Sequence, residues 1–180
     1  ANMYGYECTK KIKKGICQDR RCLFPEPCKK LKPDHSRHIS LIREIEKIPG
    51  IKKVFVASGI RYDLMMHDDR FGLPYLSKVV RDNTSGQMKV APEHSEDRVL
   101  KLMGKPPVKQ LLAFKDAFEN QCRQSGKKQF LTYYMIAAHP GCSHREMNRL
   151  KTYCRQYLKI RPEQVQIFTP TPSTYSTLMY

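Results

Sequence analysis

Four cysteines, Cys8, Cys17, Cys22 and Cys28, fall within one short basic stretch. Four thiolates are the full ligand set for a tetrahedral zinc ion or a cubane iron–sulfur cluster. The spacings are eight, four and five residues with no Cys-x-x-Cys pair, so no standard finger pattern is matched. The competing reading is an irregular loop that simply buries some of its thiols.

A second set of reactive side chains follows four short apolar runs, each ending in a dense polar loop, at 54–63, 88–94, 131–142 and 165–177. After the first run comes Ser58-Gly59-Ile60-Arg61-Tyr62-Asp63. Gly59 permits a tight turn, and Arg61 offers a planar fork for a carboxylate or phosphate, or for a surface pair with Asp63. Lys89 and Glu93 flank Val90-Ala91-Pro92. A strand-end carboxylate suits ribose hydroxyls and a strand lysine suits a carboxylate, although the two could equally pair with each other. His94 could act as a ligand or base, although a lone His beside Ser95 more often caps or hydrogen-bonds. His139-Pro140-Gly141-Cys142-Ser143 joins a strand to a capped helix, a natural cradle for an anion, and places Cys142 where a thiol nucleophile could stand. Thr169-Pro170-Thr171-Pro172-Ser173-Thr174 reads as a stiff polar exit loop.

These groups can converge only if the apolar runs are parallel strands whose carboxyl ends point one way, which alternation with helices predicts. Strands are expected at 53–58, 87–91, 130–137 and 165–168. Asp34 or Ser36 caps a helix with Ile39, Ile42, Ile45 and Ile48 along one stripe, stopped by Pro49-Gly50. Further helices are expected at 74–82, from Ser95, and at 108–124 with Val108, Leu111, Phe114, Phe118 and Cys122 on one face. Ser143-His144-Arg145-Glu146 is a capping box opening a helix with Met147, Leu150, Cys154 and Leu158 inward. Residues 1–33 are expected to be irregular, given Pro25, Pro27 and Pro33. The class is α/β: a partial (β/α) barrel or open sheet of about four parallel strands over 34–180, preceded by the cysteine-rich segment 1–33. The opening Ala-Asn-Met-Tyr-Gly reads like a loop after a strand, which predicts a start inside a domain.

The chain of 180 residues has room for a real core, and no apolar run approaches the roughly 18 residues of a membrane span. Its 33 Lys and Arg against 17 Asp and Glu give a net charge of +16, which predicts attraction to RNA or another polyanion. Aromatics for base stacking are sparse in the basic opening apart from Tyr4 and Tyr6. Seven cysteines, an odd number without a secretory leader, predict reduced thiols and a cytoplasmic setting.

Taken together, GIRYD, QMKVAPEHSEDRVLKLMGKP, AAHPGCSHREM and QVQIFTPTPSTYSTLMY resemble the YgiQ-type radical SAM proteins, as does the cysteine-rich opening followed by Leu31-Lys32-Pro33-Asp34-His35. The resemblance implies the third to sixth strands of a TIM-type barrel. It also implies an enzyme domain in which a [4Fe–4S] cluster and S-adenosylmethionine generate a radical that abstracts hydrogen from a substrate the motifs do not specify. The family binds its cluster through Cys-x3-Cys-x2-Cys, which this chain lacks. The cluster ligands are therefore expected outside it, on the same polypeptide with the rest of the barrel, and these residues alone should be inactive. By position on the motifs, Ser58, Arg61, Lys89, Glu93 and His139 are candidates for holding S-adenosylmethionine or substrate. Cys8, Cys17, Cys22 and Cys28 are candidates for an additional metal or cluster.

Two alternatives compete: a basic, metal-stabilised RNA-binding module, and a metal-independent barrel enzyme using Cys142 or Glu93. Sequencing the gene upstream of Ala1 should reveal Cys-x3-Cys-x2-Cys within roughly a hundred codons, the span the missing first strands require; an upstream region without it contradicts the radical SAM reading.

Overall fold

The computed structural model describes residues 4–6, 8–15, 17, 20–162 and 165–180. Residues 1–3, and with them the reading of the opening as a loop after a strand, lie outside the described residues, as do the side chains of Tyr4 and Tyr6. The elements in chain order are β1 (Tyr4–Tyr6), α1 (Thr9–Lys14), β2 (Leu31–Pro33), α2 (Ser36–Glu46), α3 (Tyr62–Met66), α4 (Gly72–Asp82), β3 (Gln87–Glu93), α5 (Asp97–Met103), α6 (Val108–Ser125), β4 (Phe130–Ala137), α7 (His144–Gln156), β5 (Gln166–Ile167) and α8 (Tyr175–Met179).

Strands β3, β4 and β5 form an open parallel sheet in that order, so the α/β class and the parallel sense agree with the sequence. Met88 and Val90 of β3 are buried while Gln87 and Lys89 are exposed, the alternation of a strand covered on one face. The covering layer is α3, α4 and α6. Met65, Tyr75, Leu76, Val79, Leu111, Phe114 and Phe118 meet Met88, Val90 and Met135 in one core, which Leu150 and Cys154 of α7 extend. The stripe read along α6 is this inner face, with Leu111, Phe114, Phe118 and Cys122 all buried. The capping box at α7 is present: the Arg145 amide donates to Ser143 Oγ, and the Ser143 amide donates to Glu146 Oε2 at 2.9 Å.

The first expected strand, 53–58, is not one. Among the described residues that segment has no ladder with the sheet; just beyond it Ile60 makes a single parallel bridge to Val90, its amide donating to the Lys89 carbonyl at 3.0 Å. Asn83, at the end of α4, takes its other backbone bonds. The Val56 amide donates to the Asn83 carbonyl, and Asn83 Nδ2 donates to the Val54 carbonyl and to Glu46 Oε1. Backbone committed to a helix end cannot also pair in a ladder. Three further differences stand beside it. The segment 1–33 is not wholly irregular, because β1 pairs antiparallel with β2, Tyr4 opposite Pro33 and Tyr6 opposite Leu31, with α1 between them. Tyr62–Met66 is a helical turn where a loop was expected, and the exit after β5 curls into α8.

The described residues contain no helix long and apolar enough to cross a membrane.

One buried carboxylate joins the two helices below the sheet. Asp68 Oδ2 accepts from the His35 amide at 2.7 Å and faces His35 Nδ1 at 2.8 Å, while its Oδ1 accepts from the Phe71 amide at 2.8 Å. Both side chains are almost fully buried. Asp68 thus fixes the start of α2 and the entry to α4 at once. Asp68→Ala strands these donors without water and should cost about 3 kcal/mol or more, and Asp68→Asn, which keeps one acceptor, less. Urea unfolding measures both; a loss below about 1 kcal/mol for the alanine variant contradicts this role.

Candidate functional site

At the carboxyl ends of β3 and β4 the backbone does the same unusual thing twice. Glu93 has φ of 69° and Ala138 of 56°, left-handed conformations that non-glycine residues adopt at a cost of about 1 kcal/mol each. Each kink turns the chain off the sheet and plants the next residue, a histidine, beneath the strand ends. His94 and His139 are 1% and 3% exposed.

The hydrogen bonds of these rings assign their protons. His94 Nδ1 accepts from the Glu96 amide at 3.0 Å, so in the neutral ring Nε2 carries the proton and points at Cys142 Sγ, 3.5 Å away. Burial pushes the Cys142 thiol pKa up, and Glu146 pushes the same way. A thiol that receives a hydrogen bond from imidazole, and whose ionisation is disfavoured, is not an activated nucleophile. His139 has the opposite arrangement. Its Nδ1 faces the Pro140 carbonyl at 2.8 Å, which can only accept, leaving Nε2 to accept from the Ser176 hydroxyl at 2.7 Å. Phe168 stands edge-on to the ring, centroids 5.0 Å apart.

Ser176 is positioned by α8. Thr174 caps that short helix by accepting from the Thr177 amide, and Thr177 Oγ1 bonds back to Thr171. Glu93, Tyr134, Ile136, His139, Thr169 and Ser176 line part of a cavity of about 310 Å³ over the ends of β3, β4 and β5. Glu93 is held there by Lys105, Nζ to Oε1 2.7 Å. The carboxylate pairs with a lysine, as one reading expected, but Lys105 takes the place assigned to Lys89.

A second cavity, of about 510 Å³, adjoins the first; Met103 lines both. Its lining includes all four cysteines of the opening segment, together with Arg61 and Lys105. Arg61 forks onto Asp63, Nε to Oδ1 2.8 Å. Among the described residues no three His, Cys, Asp or Glu side chains stand close enough together to hold a metal ion, so the thiols share this space without converging.

Of the five strand-end residues, then, Glu93 and His139 share one cavity and Arg61 lines its neighbour. Ser58 and Lys89 are exposed and line neither. The sequence reading missed Lys105 and Ser176. Lys105 lies in a Gly-Lys-Pro-Pro break that signals only a turn, and Ser176 lies 37 residues from the histidine it serves.

Burial, chiefly, depresses the pKa of His94 below 6.5 against the pull of Glu96 and Glu146, with His139 adding to the depression. His38, whose buried Nδ1 has no hydrogen-bond partner among the described residues, is depressed by burial as well. The unfolded chain takes up these protons as pH falls through 6.5 while the folded chain resists them, so stability is full above that pH and declines below it. Denaturant midpoints measured from about pH 7.5 to about pH 5.5 should fall, and His94→Gln with His38→Gln should flatten the decline; an unchanged slope in the double variant contradicts the assignment.

No protein-family model matches the chain. A UPF0313 protein of Fusobacterium nucleatum subsp. nucleatum is 57% identical over 180 residues, all of this chain and 32% of that protein. UPF0313 proteins of Methanocella arvoryzae and Thermotoga neapolitana are 46% and 44% identical, again over the whole chain, which covers 29% and 31% of them. The chain spans about a third of the length of the curated relatives it matches. Over its entire length, this sequence is homologous to a segment of the UPF0313 proteins.

Proposed function

We propose that this chain forms the later strands of a YgiQ-type radical S-adenosylmethionine enzyme domain, a partial (β/α) barrel whose concave side is the face of β3–β5 turned away from the helices. The observation that carries the reading is the polarity of that face. Parallel strands are ordinarily covered on both sides and apolar throughout. Here Lys89 and Glu93 of β3, with Thr132 and Tyr134 of β4, alternate with the core-facing Met88, Val90 and Met135, and Gln166 of β5 pairs beside Ile136. Such a face suits a barrel interior that holds a polar ligand, and the strand ends are where barrel enzymes keep their sites.

The donor set fits S-adenosylmethionine. Glu93, fixed by Lys105, offers a carboxylate to ribose hydroxyls, and Arg61, forked onto Asp63 at the wall of the adjoining cavity, presents a guanidinium to a ligand carboxylate. His139 with Ser176 supplies an acceptor–donor pair at the wall of the same cavity. When bound, the cluster and S-adenosylmethionine supply a 5′-deoxyadenosyl radical, and the cluster's Cys-x3-Cys-x2-Cys ligands belong to residues outside this chain. The residues in hand orient and enclose; none of them initiates the chemistry. A cytoplasmic setting fits the seven free cysteines.

A second reading, RNA as substrate or partner, is favoured by the outward side of α7. Arg145, Asn148, Arg149 and Tyr157 line an open groove there, Tyr153 stacks on Tyr157 at 5.0 Å, and the chain carries a net charge of +16.

The test uses the full-length polypeptide carrying this sequence, purified anaerobically and given S-adenosylmethionine and dithionite. It should release 5′-deoxyadenosine, and Glu93→Gln should lower the yield roughly tenfold or more with cluster absorbance unchanged. No 5′-deoxyadenosine from the unaltered protein overturns the reading.

A further inference from the structure

Helix α7 has two faces of different character. Leu150 and Cys154 are buried against the core, and Glu146 is turned inward as the partner in the capping box. On the outward side Arg145, Asn148, Arg149, Thr152, Gln156 and Tyr157 fall at helical spacing along one stripe, and all are exposed. From Arg145 to Tyr157 the stripe is about 18 Å long at the helical rise per residue. It holds no acidic and no aliphatic side chain, and every member carries a hydrogen-bond donor.

The charge along this stripe is positive. Helix α7 carries Arg145, Arg149, Lys151 and Arg155 against the single carboxylate of Glu146. Among the described residues Glu96 is the one acid lining the groove, and Arg149 neutralises it, Nη1 to Oε2 2.8 Å. At the far end Tyr153 and Tyr157 stack, centroids 5.0 Å apart and planes 25° from parallel, and Tyr157 is still 55% exposed. A large ring left in water on a pair already stacked is a platform on which another flat ring extends the stack. Thr152 Oγ1 donates to the Asn148 carbonyl at 3.1 Å, which leaves that hydroxyl oxygen as an acceptor. Cations for phosphates, a platform for bases, and amides and a hydroxyl between them are what an unpaired nucleic-acid strand requires. A duplex keeps its bases stacked inside and offers Tyr157 no ring face. An acidic protein segment would meet the arginines but leave the tyrosine pair unused.

We infer that the outward stripe of α7 binds single-stranded RNA. An unpaired base stacks on Tyr157, the backbone phosphates meet Arg145 and Arg149, and Asn148, Thr152 and Gln156 meet ribose hydroxyls and base edges. Such a site rests on the second reading above, RNA as substrate or partner, and is independent of radical chemistry at the strand ends.

The test uses the full-length polypeptide carrying this sequence and a fluorescein-labelled single-stranded RNA of mixed sequence, about 12 nucleotides long, read by fluorescence anisotropy. The single strand should bind roughly tenfold or more tighter than the same sequence as a duplex. Tyr157→Ala should weaken binding roughly tenfold with the salt dependence unchanged, and Tyr157→Phe should bind as the unaltered protein does. Arg145→Ala should flatten the slope of log affinity against log salt by about 0.7, the share of one phosphate contact. Lys52→Ala/Lys53→Ala, which removes two exposed cations outside this groove, should weaken binding less than Arg145→Ala does. Ultraviolet cross-linking of the unaltered protein should place the RNA adduct on the peptide holding Tyr153 and Tyr157, so the result does not hang on a variant that folds poorly. Binding that Tyr157→Ala and Arg145→Ala leave unchanged, or adducts confined to other peptides, overturns the site on α7 while RNA stands as a partner. No binding of the RNA overturns both, and neither outcome bears on release of 5′-deoxyadenosine.

Discussion

Parallel pairing of β3 with β4 is the constraint on which the rest of the molecule depends. From Gln87 opposite Phe130 to Val90 opposite Tyr133 the two strands run in step, and a parallel step cannot be closed by a hairpin. The chain must leave the end of β3, cross the sheet as α5 and α6, and return to the start of β4. That crossing lays Leu111, Phe114 and Phe118 over Met88, Val90 and Met135. It also sends every strand exit to the same edge, which is why residues as far apart in sequence as Glu93, His139 and Ser176 line one cavity.

The same constraint explains the left-handed kinks at Glu93 and Ala138. A strand ending in a core-covered ladder has to turn sharply to reach the next helix without colliding with its neighbour. The two kinks carry a local conformational cost that the packed core and the buried hydrogen bonds of His94 and His139 offset. The histidines are alike in burial and opposite in chemistry. A backbone amide makes one a proton donor toward Cys142, and a carbonyl makes the other an acceptor from Ser176. Nothing in the residue types distinguishes them; only the neighbouring peptide groups do.

Much of the fold was legible because local signals and tertiary packing agreed. The apolar stripe of α6, the Ser143–Glu146 capping box and the run at 130–137 each stand where side-chain periodicity put them. The segment 53–58 failed because Asn83 competes for its backbone groups, and that competition depends on a residue whose role appears only once α4 is docked. The site was legible in part for the same reason. Glu93 and His139 were found because they terminate clear strands, whereas Lys105 follows a helix break and Ser176 sits on the short α8, and neither stretch carries a pattern of its own.

The sequence by itself determined the α/β class, the parallel sense of the sheet, the helix that covers it and the polar character of the strand ends, because hydrophobic periodicity and capping chemistry are local. It also determined that four cysteines share one basic segment. Only the tertiary structure decided which cations face which carboxylates, which nitrogen of each buried histidine carries a proton, and that the cysteine loop closes through β1 and β2 against the mouth. Those outcomes depend on contacts between residues tens of positions apart, and such contacts exist only after the core has set the strands in register.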